Sequence, residues 1–185
     1  MHHTSGQLKV APEHCSATVL SAMGKPEIET YIRFKKRFYE LTKSVGKEQF
    51  LVPYLMSSHP GSTLMDAIEL SLFLKQEGLR PEQVQDFYPT PGTVSTCMYY
   101  TGLNPFTLEE IYTAKTTEEK NQQRALLQYF LPKNKEIVLK ALKKCGRTDL
   151  IGNGKNCLVA ESHNTANKAT HRKKSVIRNK HKAKK

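Results

Sequence analysis

Gln49-Phe50-Leu51-Val52-Pro53-Tyr54-Leu55-Met56-Ser57-Ser58-His59-Pro60-Gly61-Ser62-Thr63 is the stretch on which the fold turns. From Phe50 to Met56 the run is almost continuously apolar, the pattern of a strand covered on both faces. Pro53 inside it has no ladder donor, so the strand is expected at a sheet edge or with a local irregularity there. Ser57 to Gly61 reads as a loop. Thr63 and Asp66 then form a capping box that starts a helix from Leu64 to Glu77, ended by Gly78.

Working outward, Gln7 to Pro12 alternates Leu8 and Val10 with polar neighbours and reads as a short strand that ends in Pro12-Glu13-His14. Ser16 is placed to cap a helix carrying Val19, Leu20 and Met23 on one face, ended by Gly24 and Pro26. A second helix runs from about Glu27 to Ser44, with the stripe Tyr31, Phe34, Phe38, Leu41 and Val45 turned inward and Lys35, Lys36 and Arg37 outward. On the other side, Gln83 to Tyr88 has the character of a third strand. Strand, helix, strand, helix, strand at this spacing predicts three parallel neighbours joined by right-handed crossovers, so the class is α/β.

Past the turn Thr90-Pro91-Gly92 the signals become helical. Thr116 and Glu119 box the start of a helix reaching about Phe130, and Asn134 caps another with Ile137, Val138, Ala141, Leu142 and Cys145 on one face. The net charge is +12, yet residues 161–185 hold nine basic residues against one acidic, leaving the rest of the 185-residue chain at only +4. That basic segment has no apolar periodicity and is expected to be disordered. A chain of this size buries roughly 70% of its unfolded surface, enough for a core. No apolar run approaches membrane-span length, so the expectation is a soluble, cytoplasmic protein. Cys15, Cys97, Cys145 and Cys157 match no metal or cluster spacing and read as structural thiols.

Ligands of parallel sheets and barrels bind beyond the C-terminal strand ends. Here those ends gather Glu13 and His14, then Ser57, Ser58 and His59, then Gln85, Phe87 and Tyr88. Each has a structural reading beside the functional one. Glu13 pairs with a cation or accepts from a ligand hydroxyl, or is a solvated charge or a cap, and the two histidines are metal ligands or bases, or hydrogen-bonded structural groups. Ser57 and Ser58 hold an anion or merely cap the next helix, while Tyr88, between Phe87 and Pro89, offers a flat face to a purine or packs in the core. No catalytic residue and no metal ligand is assigned.

The residues then become specific. Leu8-Lys9-Val10-Ala11-Pro12-Glu13-His14 with Met23-Gly24-Lys25-Pro26, followed by Leu51 to Gly61, Gln83 to Gly92, Cys97 to Gly102 and Arg124 to Tyr129, resembles the C-terminal portion of the YgiQ-type radical S-adenosylmethionine (radical SAM) proteins. The resemblance covers about Ser5 to Val159. It implies that residues 1–92 form the last three strands of a partial (β/α)6 barrel, that 93–160 form a family-specific helical extension, and that 161–185 form a basic tail. Family members cleave S-adenosylmethionine reductively at a four-iron four-sulfur cluster to generate a deoxyadenosyl radical. The resemblance places Glu13 and His14 near the methionine or ribose of that cofactor, with Ser57, Ser58 and His59 on the next loop. Gln85, Phe87 and Tyr88 fall near the adenine. The CxxxCxxC cluster motif is absent, so the chain is expected to be an inactive fragment whose partner is the missing N-terminal half of the barrel, and its substrate is unknown. The competing reading is non-specific nucleic-acid binding through Arg172-Lys173-Lys174 and Lys180 to Lys185.

Overall fold

A computed structural model describes residues 6–160; the expected basic tail lies outside the described residues. Strand β1 (Gln7–Glu13) leads through α1 (Ala17–Ala22) and α2 (Ile28–Ser44) to β2 (Phe50–Ser57). Helix α3 (Leu64–Gln76) then crosses to β3 (Gln85–Asp86), and α4 (Val94–Thr101), α5 (Thr117–Leu127) and α6 (Lys135–Lys144) follow. The three strands are parallel in the order β1-β2-β3, as the βαβ pattern predicts.

Pro53 shows how the chain solves its own difficulty. β2 lies in the middle of the sheet, yet β3 pairs only with Met56 and Ser57 at its far end, so at Pro53 only β1 is a neighbour. On that side the register slips between Val10 and Glu13 as β1 passes Pro53 and Leu55. A strand that is central by order is thus an edge where the ladder donor is missing. β3 is shorter than the expected Gln83 to Tyr88. Beyond its two residues a single bond from Phe87 N to Ser57 O at 2.8 Å continues the pairing before Pro89.

The core lies between α3, α5 and α6. Ile68, Leu70 and Leu74 of α3 meet Leu126 and Leu127 of α5 and Val138 and Leu142 of α6, with Leu55 of β2 closing the sheet side. One core therefore draws on residues either side of position 92. Both capping boxes form: Thr63 Oγ1 accepts from Asp66 N and Thr116 Oγ1 from Glu119 N, each acidic side chain returning to the cap amide. Two expected caps are replaced. Ser16 gives its hydroxyl to Asp66 Oδ1 at 2.6 Å, across fifty positions of sequence, and makes no cap bond of its own. Asn134 is the last residue of a 3-10 turn (Pro132–Asn134), and its amide donates to Gln128 O at 3.0 Å instead.

Helix α2 departs further from expectation. Its predicted inward stripe is largely uncovered: Phe34 is 44% exposed, Leu41 49% and Val45 40%, and Thr42 is the only fully buried residue of α2. The sheet it flanks has three strands and β1 pairs with β2 and no other described strand, so there is too little surface for α2 to cover. An ion pair between Lys35 and Glu77 at 2.6 Å fastens α2 to the end of α3. Helix α4, in the expected helical extension but not singled out as an element of its own, has its own start and stop: Thr93 Oγ1 accepts from Thr96 N at 3.2 Å, and Gly102 ends it at φ 70°.

Because one core joins strand and helical parts, Leu126→Ala is expected to cost about 3 kcal/mol and to shift the whole of urea unfolding together. Far-UV circular dichroism and tyrosine fluorescence should report one coincident transition; two separated transitions would contradict the shared core.

Candidate functional site

The ends of β1 and β2 are built alike. Glu13 (φ 64°) and Ser58 (φ 62°) both sit in the left-handed region, which non-glycine residues occupy at a cost of about 1 kcal/mol or more, and each is followed by a histidine. The backbone reversal turns the next side chain off the strand line, so His14 and His59 are both buried at the end of the sheet.

Their surroundings differ. His14 is 1% exposed and its Nδ1 accepts from Ser16 N at 3.0 Å. Burial is the chief cause that brings its pKa down to about 4; the Asp66 carboxylate opposes the shift and His59 adds to it. His59 Nδ1 lies 2.7 Å from Pro60 O, and because a carbonyl only accepts, that nitrogen carries the proton. Nε2 is left to accept from Ser95 Oγ at 2.8 Å. Burial lowers the His59 pKa as well, and its ring stands edge-on to Phe87 at 5.0 Å.

The two serines are tied to the framework through different atoms. Ser57 Oγ donates to Asp86 Oδ1, and Asp86 Oδ2 pairs with Arg124 at 2.9 Å, which ties β2 to β3 and both to α5. Ser58 N donates to Gln123 Oε1 at 3.0 Å while the Ser58 hydroxyl is buried without a partner. Gln123 also accepts from Ser62 Oγ at 2.9 Å and donates to Ser62 O at 2.7 Å, so one buried amide fixes the loop after β2.

Of the eight expected rim residues, Glu13, His59, Gln85, Phe87 and Tyr88 line one open cleft of about 400 Å³. His14, Ser57 and Ser58 are not among its lining residues; His14 Nδ1, Ser57 Oγ and Ser58 N are engaged in the framework just described. The cleft is completed by Met23, Met56, Thr90, Thr93 and Ser95. Of these, Thr93 and Ser95 come from the start of α4, a helix without a strong apolar period, and only the Thr93-to-Thr96 spacing signals it. Glu13 is paired with Lys25 at 3.2 Å, which leaves the carboxylate free to accept from ligand hydroxyls without an uncompensated charge. Tyr88 is 79% exposed beside Phe87, which itself packs on Tyr99 at 5.7 Å. The cleft thus combines a hydrogen-bond acceptor, a row of hydroxyls and an aromatic face, the means to hold a flat heterocycle joined to a polyol. Among the described residues no group of three or more His, Cys, Asp or Glu is placed to hold a metal.

Two measurements check this geometry. Below the ordinary histidine value of 6.5 the unfolded chain takes a proton that folded His14 refuses until about 4. Stability is therefore full above 6.5 and lost as pH falls through this window, by about 2 kcal/mol at about pH 5. His14→Gln should remove most of that slope in urea titrations at neutral and acid pH. Ser58→Gly relieves a left-handed backbone and deletes an unpartnered buried hydroxyl, so the urea midpoint should rise by the equivalent of about 1 kcal/mol; a fall would show that the hydroxyl is needed.

The model of a family described as Domain of unknown function (DUF3362) matches residues 82–185, more than half of the chain. A UPF0313 protein of Clostridium perfringens (strain 13) is 59% identical over 162 residues, covering 88% of this chain and 24% of its own length. A UPF0313 protein of Clostridium botulinum (strain 657) is 59% identical over 158 residues, covering 85% of this chain and 25% of the relative. The chain therefore spans about a quarter of the length of the curated relatives it matches. No solved structure matches it. From β3 onward the match is to one family model, and the chain belongs to the family of the Domain of unknown function DUF3362.

Proposed function

We propose that the cleft at the strand ends is part of an S-adenosylmethionine site and that this chain corresponds to one portion of a radical SAM type of enzyme. The observation that carries the reading is the convergence of Glu13, Phe87, Tyr88 and the hydroxyls of Thr93 and Ser95 in one cleft at the C-terminal ends of parallel strands. The residues present fit the nucleoside part of that cofactor. Glu13 accepts from ribose hydroxyls, and Lys25 behind it holds the carboxylate in place. Phe87 is fixed by His59 and Tyr99, so its ring is a rigid wall beside which the exposed Tyr88 closes on adenine. Ser95, whose proton is directed to His59 Nε2, turns its lone pairs to a ligand N–H. When bound beside a reduced iron-sulfur cluster, S-adenosylmethionine supplies a deoxyadenosyl radical.

The cluster itself does not fit this chain. Cys15 is buried and its thiol is pushed up to about 12, chiefly by burial, far from the thiolate a cluster needs. The four cysteines form no ligand group among the described residues, and no step is assigned to such a cluster here. The relatives are more than three times as long, which leaves ample sequence for cluster ligands elsewhere.

S-adenosylhomocysteine titrated calorimetrically into the full chain should bind saturably, and Glu13→Gln and Tyr88→Ala should each weaken it about tenfold. Absence of binding both to this chain and to an intact relative, together with no deoxyadenosine release from the reconstituted relative, would sink the proposal.

A further inference from the structure

A second cavity, of about 320 Å³, opens where the first turn of α3 meets Tyr112, the start of α5 and the end of α6. It shares no lining residue with the cleft at the strand ends, so its ligand chemistry is independent of the cofactor reading. Its polar groups are of opposite kinds and stand on different elements. Gln122, 5% exposed, donates from Nε2 to Glu118 Oε1 at 3.2 Å, which fixes the amide the right way round. Its Oε1 is then a buried acceptor with no partner among the described residues, and such an atom calls for an N–H or O–H donor. Glu119 spends Oε2 on the α5 cap, while Oε1 accepts from Tyr112 at 3.1 Å and retains a lone pair. The hydrogen bonds from Thr116 hold this carboxyl below its ordinary value, so it is an anion at neutral pH.

Facing these acceptors is the opposite chemistry. Lys144, near the end of α6, makes no ion pair among the described residues. Leu64 and Met65 contribute the first turn of α3, where the Asp66 N–H is taken by Thr63 Oγ1 but the Leu64 and Met65 N–H groups have no intrahelical acceptor, and Met65 is half exposed there. A ligand satisfying all of this needs a cationic donor at one end, a carboxylate at the other and an apolar group between cavity wall and solvent.

We propose that this cavity binds a free α-amino acid with an apolar side chain. Its ammonium group meets Glu119 Oε1 and Gln122 Oε1, its carboxylate meets Lys144 and the α3 first turn, and its side chain lies on Leu64 and Met65. A zwitterion suits the site because each charge is matched without leaving a net charge in the cavity.

The test is titration of the full chain with L-leucine, followed by calorimetry and by NMR chemical-shift change. Two half-ligands, isoamylamine and 4-methylpentanoate, are run beside it. Leucine should bind saturably at millimolar concentration, and each half-ligand about tenfold or more weakly. Lys144→Met, a change at an exposed residue that leaves the core alone, should weaken leucine about tenfold, and Gln122→Leu should do likewise if it folds by circular dichroism. Lys140→Met, which removes the same charge at an exposed residue of α6 that lines neither cavity, should leave leucine binding unaltered. No leucine binding, equal binding of either half-ligand, or unaltered binding to folded Lys144→Met would each overturn the assignment.

Discussion

The buried side-chain amide of Gln123 is the constraint on which the rest of the arrangement depends. It accepts from Ser58 N and Ser62 Oγ and donates to Ser62 O, so three atoms of the loop after β2 are fixed by one residue of α5. That grip holds Ser58 in its unfavourable backbone region and delivers His59 against Ser95 and Phe87. The shape of the strand-end cleft is therefore decided by a helix more than sixty residues later in the chain. A buried amide with both ends used is worth more than its individual bonds, because losing it would orphan a backbone donor and a backbone acceptor together.

Asp66 plays the matching part on the other flank. Burial alone would raise its pKa, but hydrogen bonds from Ser16 and Thr63, with Thr63's amide, outweigh that and keep it ionised. One carboxylate thus caps α3, receives the residue before α1 and lies close enough to His14 to oppose the effect of burial on that ring. The two strand ends, paired with each other in the sheet as far as Glu13 opposite Leu55, are also held by charges and hydrogen bonds from α3 and α5.

Much of this was legible in the residues. The apolar run at Phe50 to Met56, the alternation at Leu8 and Val10 and the two capping boxes are local signals, and each element appeared where they placed it. Pro53 announced an irregularity, and the register slip beside it is that irregularity. What escaped was long-range. Nothing near Ser16 indicates that its hydroxyl goes to Asp66, and nothing near Ser95 indicates a histidine thirty-six positions earlier. The eight-residue α4 lacks an apolar face because it buries only Met98. The exposed stripe of α2 misled for a related reason: periodicity reports that a helix has an apolar face, and only the extent of the sheet decides whether that face is covered.

That uncovered face of α2 has a colloidal consequence. Apolar side chains at Phe34, Leu41 and Val45 stand on the same molecule as a strand, β1, with a single described sheet neighbour, a combination that favours sticking between copies. The formal charge of +12 works against it by mutual repulsion. Repulsion of this kind weakens once the screening length falls to about 8 Å, its value at physiological ionic strength. The solubility of the chain is consequently governed by added salt as much as by its fold, with low ionic strength the condition in which single molecules persist.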